Sequence, residues 1–258
     1  MNILHITDLH FTLDKQSGAV LFPKKRWKKL ISLVELRSKD EPIDMIAVTG
    51  DLTSHGEEAE FEKAFKYLKR LTKAAKVGCE RVVFCRGNHD ADGEMAHSEF
   101  THYEAFLKKF YAGREPVLFW KHQKKGKKSG KKLLLQCCCL NTCTETSLLF
   151  FDHAVLIREE FEQLEKFKEG AYGIVLMHHQ PEVIQNQELF EEMVNSKKVR
   201  LILCGHLHPT ETRIFRAGNA IVVNGIALSP HLKWLPAGFQ MIRINSEGKL
   251  RVKEIILE

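Results

Sequence analysis

Side chains that can bind metal ions recur at five places in this 258-residue chain, each directly after an apolar run. The densest is Gly87-Asn88-His89-Asp90, where an amide, an imidazole and a carboxylate stand next to one another. The other four are Asp8-Leu9-His10, Gly50-Asp51, His178-His179 and Gly205-His206-Leu207-His208. Each cluster alone is weak, because an Asp or Asn after a strand is often only a turn residue. Their recurrence is what indicates a metal site.

Together the clusters supply seven oxygen or nitrogen ligands, more than a closed structural site uses. These are Asp8, His10, Asp51, Asn88, His178, His206 and His208. Two cations would use them all, with one bridging carboxylate and open positions for water. The lack of cysteine among them argues against structural zinc. We therefore predict two divalent metal ions, and the ligand types leave manganese, iron, zinc and magnesium open.

The elements between the clusters alternate between strand and helix patterns. Predicted strands cover 2–7, 43–49, 81–85, 133–140, 172–177 and 199–204, and predicted helices cover 24–38, 57–76, 98–111, 158–168 and 187–195. From about residue 209 shorter β runs predominate, at 212–216, 220–224, 239–244 and 250–256, which suggests a second sheet packed on the first. No linker interrupts the chain, so we expect one layered α/β domain over 1–258. Ligands bind at the carboxyl ends of strands in such sheets, so the five clusters should share one rim.

The basic charge of the chain is local. Residues 121–132 contain seven lysines, and the rest of the chain has 32 basic and 33 acidic residues. This segment is predicted to be a solvated loop or a hairpin tip, with contact to nucleic acid as its functional alternative, because lysine binds phosphates independently of sequence. A second basic cluster, 24–29, lies either near the rim or on an outward helix face.

Composition also bears on the compartment. No apolar run approaches the roughly 18 residues that a membrane-spanning helix needs, and the first residues lack the basic segment of a signal peptide. The seven cysteines lie mostly in apolar runs, and alternation along a strand would place Cys137, Cys138 and Cys139 on different faces. We interpret them as reduced, buried side chains and expect a cytoplasmic protein without a membrane contact.

The chain resembles the calcineurin-like metallophosphoesterases, the binuclear metallophosphatase superfamily. Its five clusters match D-x-H, G-D, G-N-H-D/E, a later His and G-H-x-H in order, over residues 8–208. The resemblance implies a four-layer α/β/β/α sandwich with the metal site at the carboxyl ends of the strands. It also implies that Asp8, His10 and His208 hold one metal, that Asn88, His178 and His206 hold the other, and that Asp51 bridges them. Spacing alone does not decide between His178 and His179, and the resemblance favours His178.

These residue types suit hydrolysis of a phosphate ester, because two cations can clamp the phosphoryl oxygens and generate a shared hydroxide. His89 cannot easily share a metal with Asn88, since adjacent side chains diverge, so we predict that it donates a proton to the leaving group. Asp90 either orients His89 or caps the turn. Arg86 either contacts phosphate or forms a surface ion pair. His5 and His55 are interpreted as structural or surface histidines.

The G-H-x-H ending and the short chain are similar to the class III cyclic-nucleotide phosphodiesterases. The leading hypothesis is therefore a phosphodiesterase that acts on a small molecule or a cyclic nucleotide. One alternative is a nuclease or nucleic-acid end-processing phosphoesterase that uses the lysine-rich segment 121–132. The other is a non-catalytic scaffold of the same fold, against which the intact ligand positions and His89 argue. The oligomeric state stays open.

Overall fold

The computed structural model describes residues 1–13, 24–92, 99–117, 119–125, 132–143, 154–197, 199–230 and 234–257. The centre of the lysine-rich segment, 126–131, lies outside these ranges. In the part of the chain that the structure describes, no helix is long and apolar enough to cross a membrane.

Two sheets form the centre of the molecule, with strands numbered along the chain. The first contains β1 (Asn2–Ile6), β2 (Met45–Thr49), β3 (Val82–Cys85), β10 (Gly238–Ile244) and β11 (Leu250–Ile256), in the order β11-β10-β1-β2-β3. The second contains β4 (Phe119–Lys125), β5 (Lys132–Cys139), β6 (Tyr172–Leu176), β7 (Val199–Cys204), β8 (Arg213–Ala217) and β9 (Ala220–Asn224), in the order β4-β5-β6-β7-β9-β8. Apolar side chains of both sheets pack together between them.

Helices cover the outer faces of both sheets. The helices α1 (Lys24–Asp40), α2 (Glu58–Ala75) and α3 (Thr101–Phe110) pack on the first sheet, and α4 (Arg158–Glu165) and α5 (Gln187–Ser196) pack on the second. Each helix buries one apolar stripe, as Phe61, Leu68 and Leu71 do in α2. The predicted α/β/β/α sandwich is therefore confirmed, with its helices and strands close to the predicted bounds.

The predicted split of the three adjacent cysteines is also confirmed. Cys137 and Cys139 point into the layer between the sheets, whereas Cys138 packs under the helices of the second sheet. The side chains alternate because successive residues of a strand face opposite sides.

Two predictions about the strands were wrong. The loop interpretation was wrong for residues 121–125, which form most of β4, whereas the antiparallel pairing of β4 with β5 agrees with the hairpin interpretation. The strands after residue 209 do not make the second sheet by themselves. Instead β8 and β9 extend the second sheet beside β7, while β10 pairs antiparallel with β1 at the centre of the first.

The direction of the strands brings the polar clusters to one edge. In the first sheet β1, β2 and β3 run parallel, and in the second β5, β6, β7 and β9 run parallel. The carboxyl ends of parallel strands meet at one edge, and all five clusters follow the ends of β1, β2, β3, β6 and β7.

Candidate metal centre

The first group of candidate ligands combines clusters from both sheets. Asp8, His10, Asp51 and His208 each offer one ligand atom, and these atoms all lie within 4.8 Å of one another. His208 Nε2 is 3.2 Å from Asp8 Oδ1 and 3.1 Å from His10 Nε2. Imidazole and carboxylate atoms therefore converge on one small volume, although they come from residues as far apart as 8 and 208.

The second group lies beside the first and shares Asp51 with it. His178, His179 and His206 offer nitrogens within 4.8 Å of one another. His178 Nε2 is 2.9 Å from Asn88 Oδ1 and 3.4 Å from Asp51 Oδ1. The other oxygen of Asp51, Oδ2, is 3.7 Å from His10 Nε2 in the first group. One carboxylate thus directs an oxygen to each group, which is the arrangement that a bridging ligand needs.

The backbone at these positions is held in an uncommon conformation. Asp8, His10, Asp51, His206 and His208 have φ values of 52°, 42°, 50°, 74° and 46°. Only two other non-glycine residues in the described ranges, Lys76 and Ala112, have positive φ. Residues of this kind cluster at functional sites, because the surrounding structure must offset a cost of about 1–3 kcal/mol each. The strain indicates that the loops are shaped to aim these side chains at a common point.

The motif glycines allow the ligands to approach closely. A Cβ on Gly87 would lie 2.1 Å from Asp51 Oδ1, and one on Gly50, whose φ is +89°, would lie 2.4 Å from His178 Nδ1. A Cβ on Gly205 would lie 2.6 Å from Asp8 Oδ2. The G-D, G-N-H and G-H-x-H motifs therefore need glycine because a side chain would occupy the space of a ligand from another strand end.

The charges of the buried carboxylates depend on the histidines around them. Burial works against ionisation of Asp51, but His178 and His89 hold the pKa of this carboxyl well below its usual range. Burial likewise opposes a charge on Asp8, and His208 holds the pKa of Asp8 below its usual value. Burial lowers the pKa of His178, yet Asp51 raises it to about 9. The carboxylates are thus ionised in surroundings that favour positive charge.

The donor set fits two divalent cations. Buried carboxylate, amide and imidazole donors are common ligands of manganese, iron, zinc and magnesium to differing degrees. The ring of His178 is already oriented, because Nδ1 can donate to the Thr49 carbonyl oxygen at 2.8 Å and leave Nε2 to face Asn88 and Asp51. His10 Nε2 and His208 Nε2 face each other at 3.1 Å, as two lone pairs directed at one cation would.

His89 lies next to this centre without joining either ligand group. Its backbone amide donates to Asp51 Oδ1 at 3.0 Å, and its Nδ1 is 3.0 Å from the carbonyl oxygen of Ser54. The ring meets that of His10 edge-on, with 5.0 Å between centroids. When Nδ1 carries the proton for Ser54, Nε2 is the nitrogen left for substrate.

Asp90 forms the turn that carries Asn88 and His89. Its Oδ2 accepts the amide of Gly87 at 3.0 Å, and its Oδ1 accepts the amide of Thr53 at 3.0 Å. Burial and the nearby charge of Asp51 raise the pKa of Asp90 to about 7. These hydrogen bonds favour the interpretation of Asp90 as a cap of the turn, and its action on the His89 ring stays a prediction.

Two other residues take positions that the sequence left open. His179 Nδ1 is 2.9 Å from Thr142 Oγ1, and its ring is 4.4 Å from that of His206, so both histidines of the pair reach the centre. Arg86 pairs with Glu104 at 2.9 Å, as in the surface ion-pair interpretation.

His5 is a buried structural histidine, one of the two interpretations that the sequence allowed, but its partner was not predicted. It is fully buried, and its Nε2 lies 2.9 Å from the hydroxyl of Thr49, the residue that supports His178. The only signal for it in the sequence is a histidine inside an apolar strand, which does not reveal the partner.

Comparisons with known proteins agree with this geometry. A family model described as calcineurin-like phosphoesterase matches residues 1–210. No curated protein sequence matches the chain significantly.

Solved structures show the same fold at low sequence identity. A dimetal phosphatase from Danio rerio has a TM-score of 0.65 and 10% identity, with 100% of this chain and 98% of that chain covered. The sulfate thiohydrolase SoxB from Thermus thermophilus, in complex with glycerol, has a TM-score of 0.59 and 15% identity, with coverage of 99% and 56%. A purple acid phosphatase from yellow lupin seeds has a TM-score of 0.56 and 11% identity, with coverage of 98% and 51%. The chain spans only about half the length of these last two proteins. From the match over most of its length, the chain belongs to the calcineurin-like phosphoesterase family.

Proposed function

We propose that this protein is a phosphoesterase that depends on two divalent metal ions, and that its substrates are small phosphodiesters, cyclic nucleotides among them. The observation that carries the proposal is Asp51, which directs one oxygen to each of two ligand groups. Asp8, His10 and His208 would hold one ion, and Asn88, His178 and His206 the other. When bound, two such ions polarise phosphoryl oxygens and lower the pKa of a water.

His89 supplies the proton that the leaving group needs. Its Nδ1–H donates to the Ser54 carbonyl oxygen and orients the ring, so the transferred proton is a second one, carried on Nε2 when the ring is an imidazolium. The backbone amide of His89 donates to Asp51 Oδ1 at 3.0 Å. This hydrogen bond fixes the position of the proposed proton donor relative to the proposed bridging carboxylate. Proton transfer to the departing alkoxide contributes typically 10²–10⁴-fold to such a reaction.

The charge around the centre favours an anionic substrate. Lys63 Nζ donates to the Thr12 carbonyl oxygen at 2.6 Å, two residues after His10. Burial and the nearby charge of Lys24, the first residue of α1, lower the pKa of Lys63. Lys24 and Lys25 are exposed there. This basic rim raises the local concentration of phosphate esters by long-range attraction.

Apolar side chains at the same edge favour a substrate with an organic group. Leu207 lies between His206 and His208 and is 46% exposed, and Leu13 follows His10 closely and is 49% exposed. Trp234, 73% exposed, comes five residues after Ser229, whose backbone amide donates to the Asp8 carbonyl oxygen. Exposed apolar groups next to a metal centre suit a base or another ring of the ester.

The structure offers less support for a nuclease that is guided by the lysine-rich segment. Cys139 and Lys132 are opposite ends of β5, and only the Cys139 end lies at the metal-bearing edge. Lys125 pairs with Lys132, so this end of the β4–β5 pair lies about 23 Å from the Cys139 end at 3.3 Å per residue. Nucleic acid bound at the Lys125–Lys132 end would not reach the candidate metal ligands by a short path.

The test is hydrolysis by the chain loaded with two Mn²⁺ per molecule. We expect activity on bis-p-nitrophenyl phosphate and on a 3′,5′-cyclic nucleotide, loss of both with a chelator, and recovery with Mn²⁺. Trp234→Ala should raise KM for the nucleotide, whereas Leu36→Ala, which removes an exposed side chain on α1, should not. A loaded chain that hydrolyses no phosphate ester would refute the proposed function.

A further inference from the structure

The two ligand groups are joined behind the metal centre by the backbone of Thr49. Its carbonyl oxygen lies 2.8 Å from His178 Nδ1 and 3.1 Å from the hydroxyl of Thr7. That hydroxyl is also 2.8 Å from Asp8 Oδ2. The single proton of this hydroxyl is shared between the two oxygens, so a displacement of Thr49 would move His178 directly and would affect Asp8 through Thr7.

His5 holds the other side of Thr49. Its Nε2 is 2.9 Å from Thr49 Oγ1, and no part of the ring reaches solvent. Burial lowers the pKa of His5 to about 3, so the ring is neutral and has one N–H and one bare nitrogen. A neutral imidazole can satisfy the threonine hydroxyl as donor or acceptor, but its second nitrogen then needs a partner of its own.

Gln240 stands opposite His5, where β10 pairs with β1, and is also fully buried. Its Nε2 donates to Thr212 Oγ1 at 3.2 Å, and Thr212 Oγ1 donates to Glu254 Oε2 at 2.5 Å. Among the described residues, neither Gln240 Oε1 nor His5 Nδ1 has a protein partner. Two such atoms in one buried layer are an exception to the rule that buried polar groups are paired.

Gly225 packs closely against both of these side chains. A Cβ at this position would lie 2.5 Å from Gln240 Oε1 and 2.9 Å from His5 Cε1, so a side chain there would displace both groups. Internal waters typically bridge buried groups that the protein leaves without partners.

We propose that His5 and Gln240, whose unpartnered atoms are bridged by one internal water, are positioning residues that hold Thr49 and, through it, the candidate metal ligands His178 and Asp8. The inference rests on metal binding as given under the proposed function. It extends the support of the metal centre across the first sheet from β2 to Glu254 on β11. Neither residue touches metal or substrate, so its effect should appear in metal affinity before it appears in chemistry.

The test is Mn²⁺ affinity of the metal-free chain by titration calorimetry, with no substrate present. His5→Phe and Gln240→Leu should weaken Mn²⁺ binding roughly ten- to hundredfold, the range found for changes in groups that orient metal ligands. His5→Gln, which keeps a polar group for Thr49, should recover part of the loss. Gln136→Leu is the matched control, because Gln136 is equally buried and also has an amide nitrogen without a protein partner among the described residues, yet it bonds Lys168 N in the second sheet.

Four outcomes overturn the inference. Wild-type Mn²⁺ affinity in His5→Phe would refute this inference and leave the proposed function intact. A loss of Mn²⁺ affinity in Gln136→Leu equal to that in Gln240→Leu would do the same. A wild-type chain that binds no Mn²⁺ overturns the proposed function as well. If His5→Phe does not fold, a high-resolution crystal structure of the wild type decides: a water within about 3.2 Å of Gln240 Oε1 and His5 Nδ1 supports the inference, and its absence refutes it.

Discussion

Replacement of Gly205 by alanine tests the idea that the motif glycines exist to let ligands approach. The added Cβ would lie 1.9 Å from Thr7 Oγ1 and 2.6 Å from Asp8 Oδ2. Relief to an ordinary contact of about 3.5 Å requires the hydroxyl to move about 1.6 Å and the carboxylate about 0.9 Å. The φ of Gly205 lies outside the left-handed region, so the effect of the substitution is steric.

The expected cost has two parts. Overpacking of a tight interior costs about 1–3 kcal/mol, and loss of the hydrogen bond from Thr7 to the charged Asp8 adds about 1.5–3 kcal/mol. At about 2–4 °C per kcal/mol for a chain of this size, the melting temperature should fall by about 5–25 °C. Because Asp8 is displaced as a ligand, Mn²⁺ affinity should fall at least about tenfold.

Thermal unfolding by circular dichroism and Mn²⁺ titration calorimetry measure the two effects separately. Gly173→Ala is the control, because its Cβ would lie 3.1 Å from Val199 Cα in the second sheet, away from the candidate ligands. That variant should lose some stability and keep its Mn²⁺ affinity. A folded Gly205→Ala chain with wild-type Mn²⁺ affinity would show that the close approach to Asp8 has no bearing on metal binding.

Three further predictions concern the roles of individual residues. His89→Ala should keep its Mn²⁺ affinity and lose about 10²–10⁴-fold in kcat on an ester with a poor leaving group, and full activity there would exclude it as the proton donor. Asp51→Asn should lose Mn²⁺ and activity together, measured by calorimetry and by bis-p-nitrophenyl phosphate hydrolysis, because no other carboxylate among the described candidate ligands faces both groups. Lys24→Glu combined with Lys25→Glu should lower kcat/KM at low salt and approach wild type at high salt, since exposed charges are screened, and a salt-independent deficit would contradict electrostatic attraction.

Much of the fold was predictable because its signals are local. Periodicity over ten or so residues distinguishes a helix such as α2 from a strand such as β2, and both lie close to their predicted bounds. Polar clusters directly after apolar strands also predicted a shared rim, since parallel strands end at one edge. The sequence did not predict a strand at residues 121–125, because their lysines indicate a segment exposed to solvent. They form a strand because they pair with β5.

The positions of the C-terminal strands depended on distant partners. No feature of residues 239–244 indicates that this strand pairs with β1. A strand can pair with any strand edge at a register that buries its apolar side chains. Contacts with distant residues also decide where residues 121–125 of the lysine-rich segment and the basic start of α1 lie, although the two are similar in composition. The Lys125–Lys132 end of the β4–β5 pair lies opposite the end of β5 that faces the candidate ligands, whereas the charge of Lys24 at the start of α1 acts on Lys63.

The candidate site divides in the same way. Ligand chemistry is carried by residue type, so the amino-acid sequence alone indicated a metal centre from Asp8, Asp51, Asn88 and their histidines. The hydrogen bonds that orient those ligands join residues far apart in the chain, such as His5 to Thr49 and Thr49 to His178. Only the packed sheets bring such pairs together, because a hydrogen bond depends on distance and angle in space and leaves no periodic mark in the sequence.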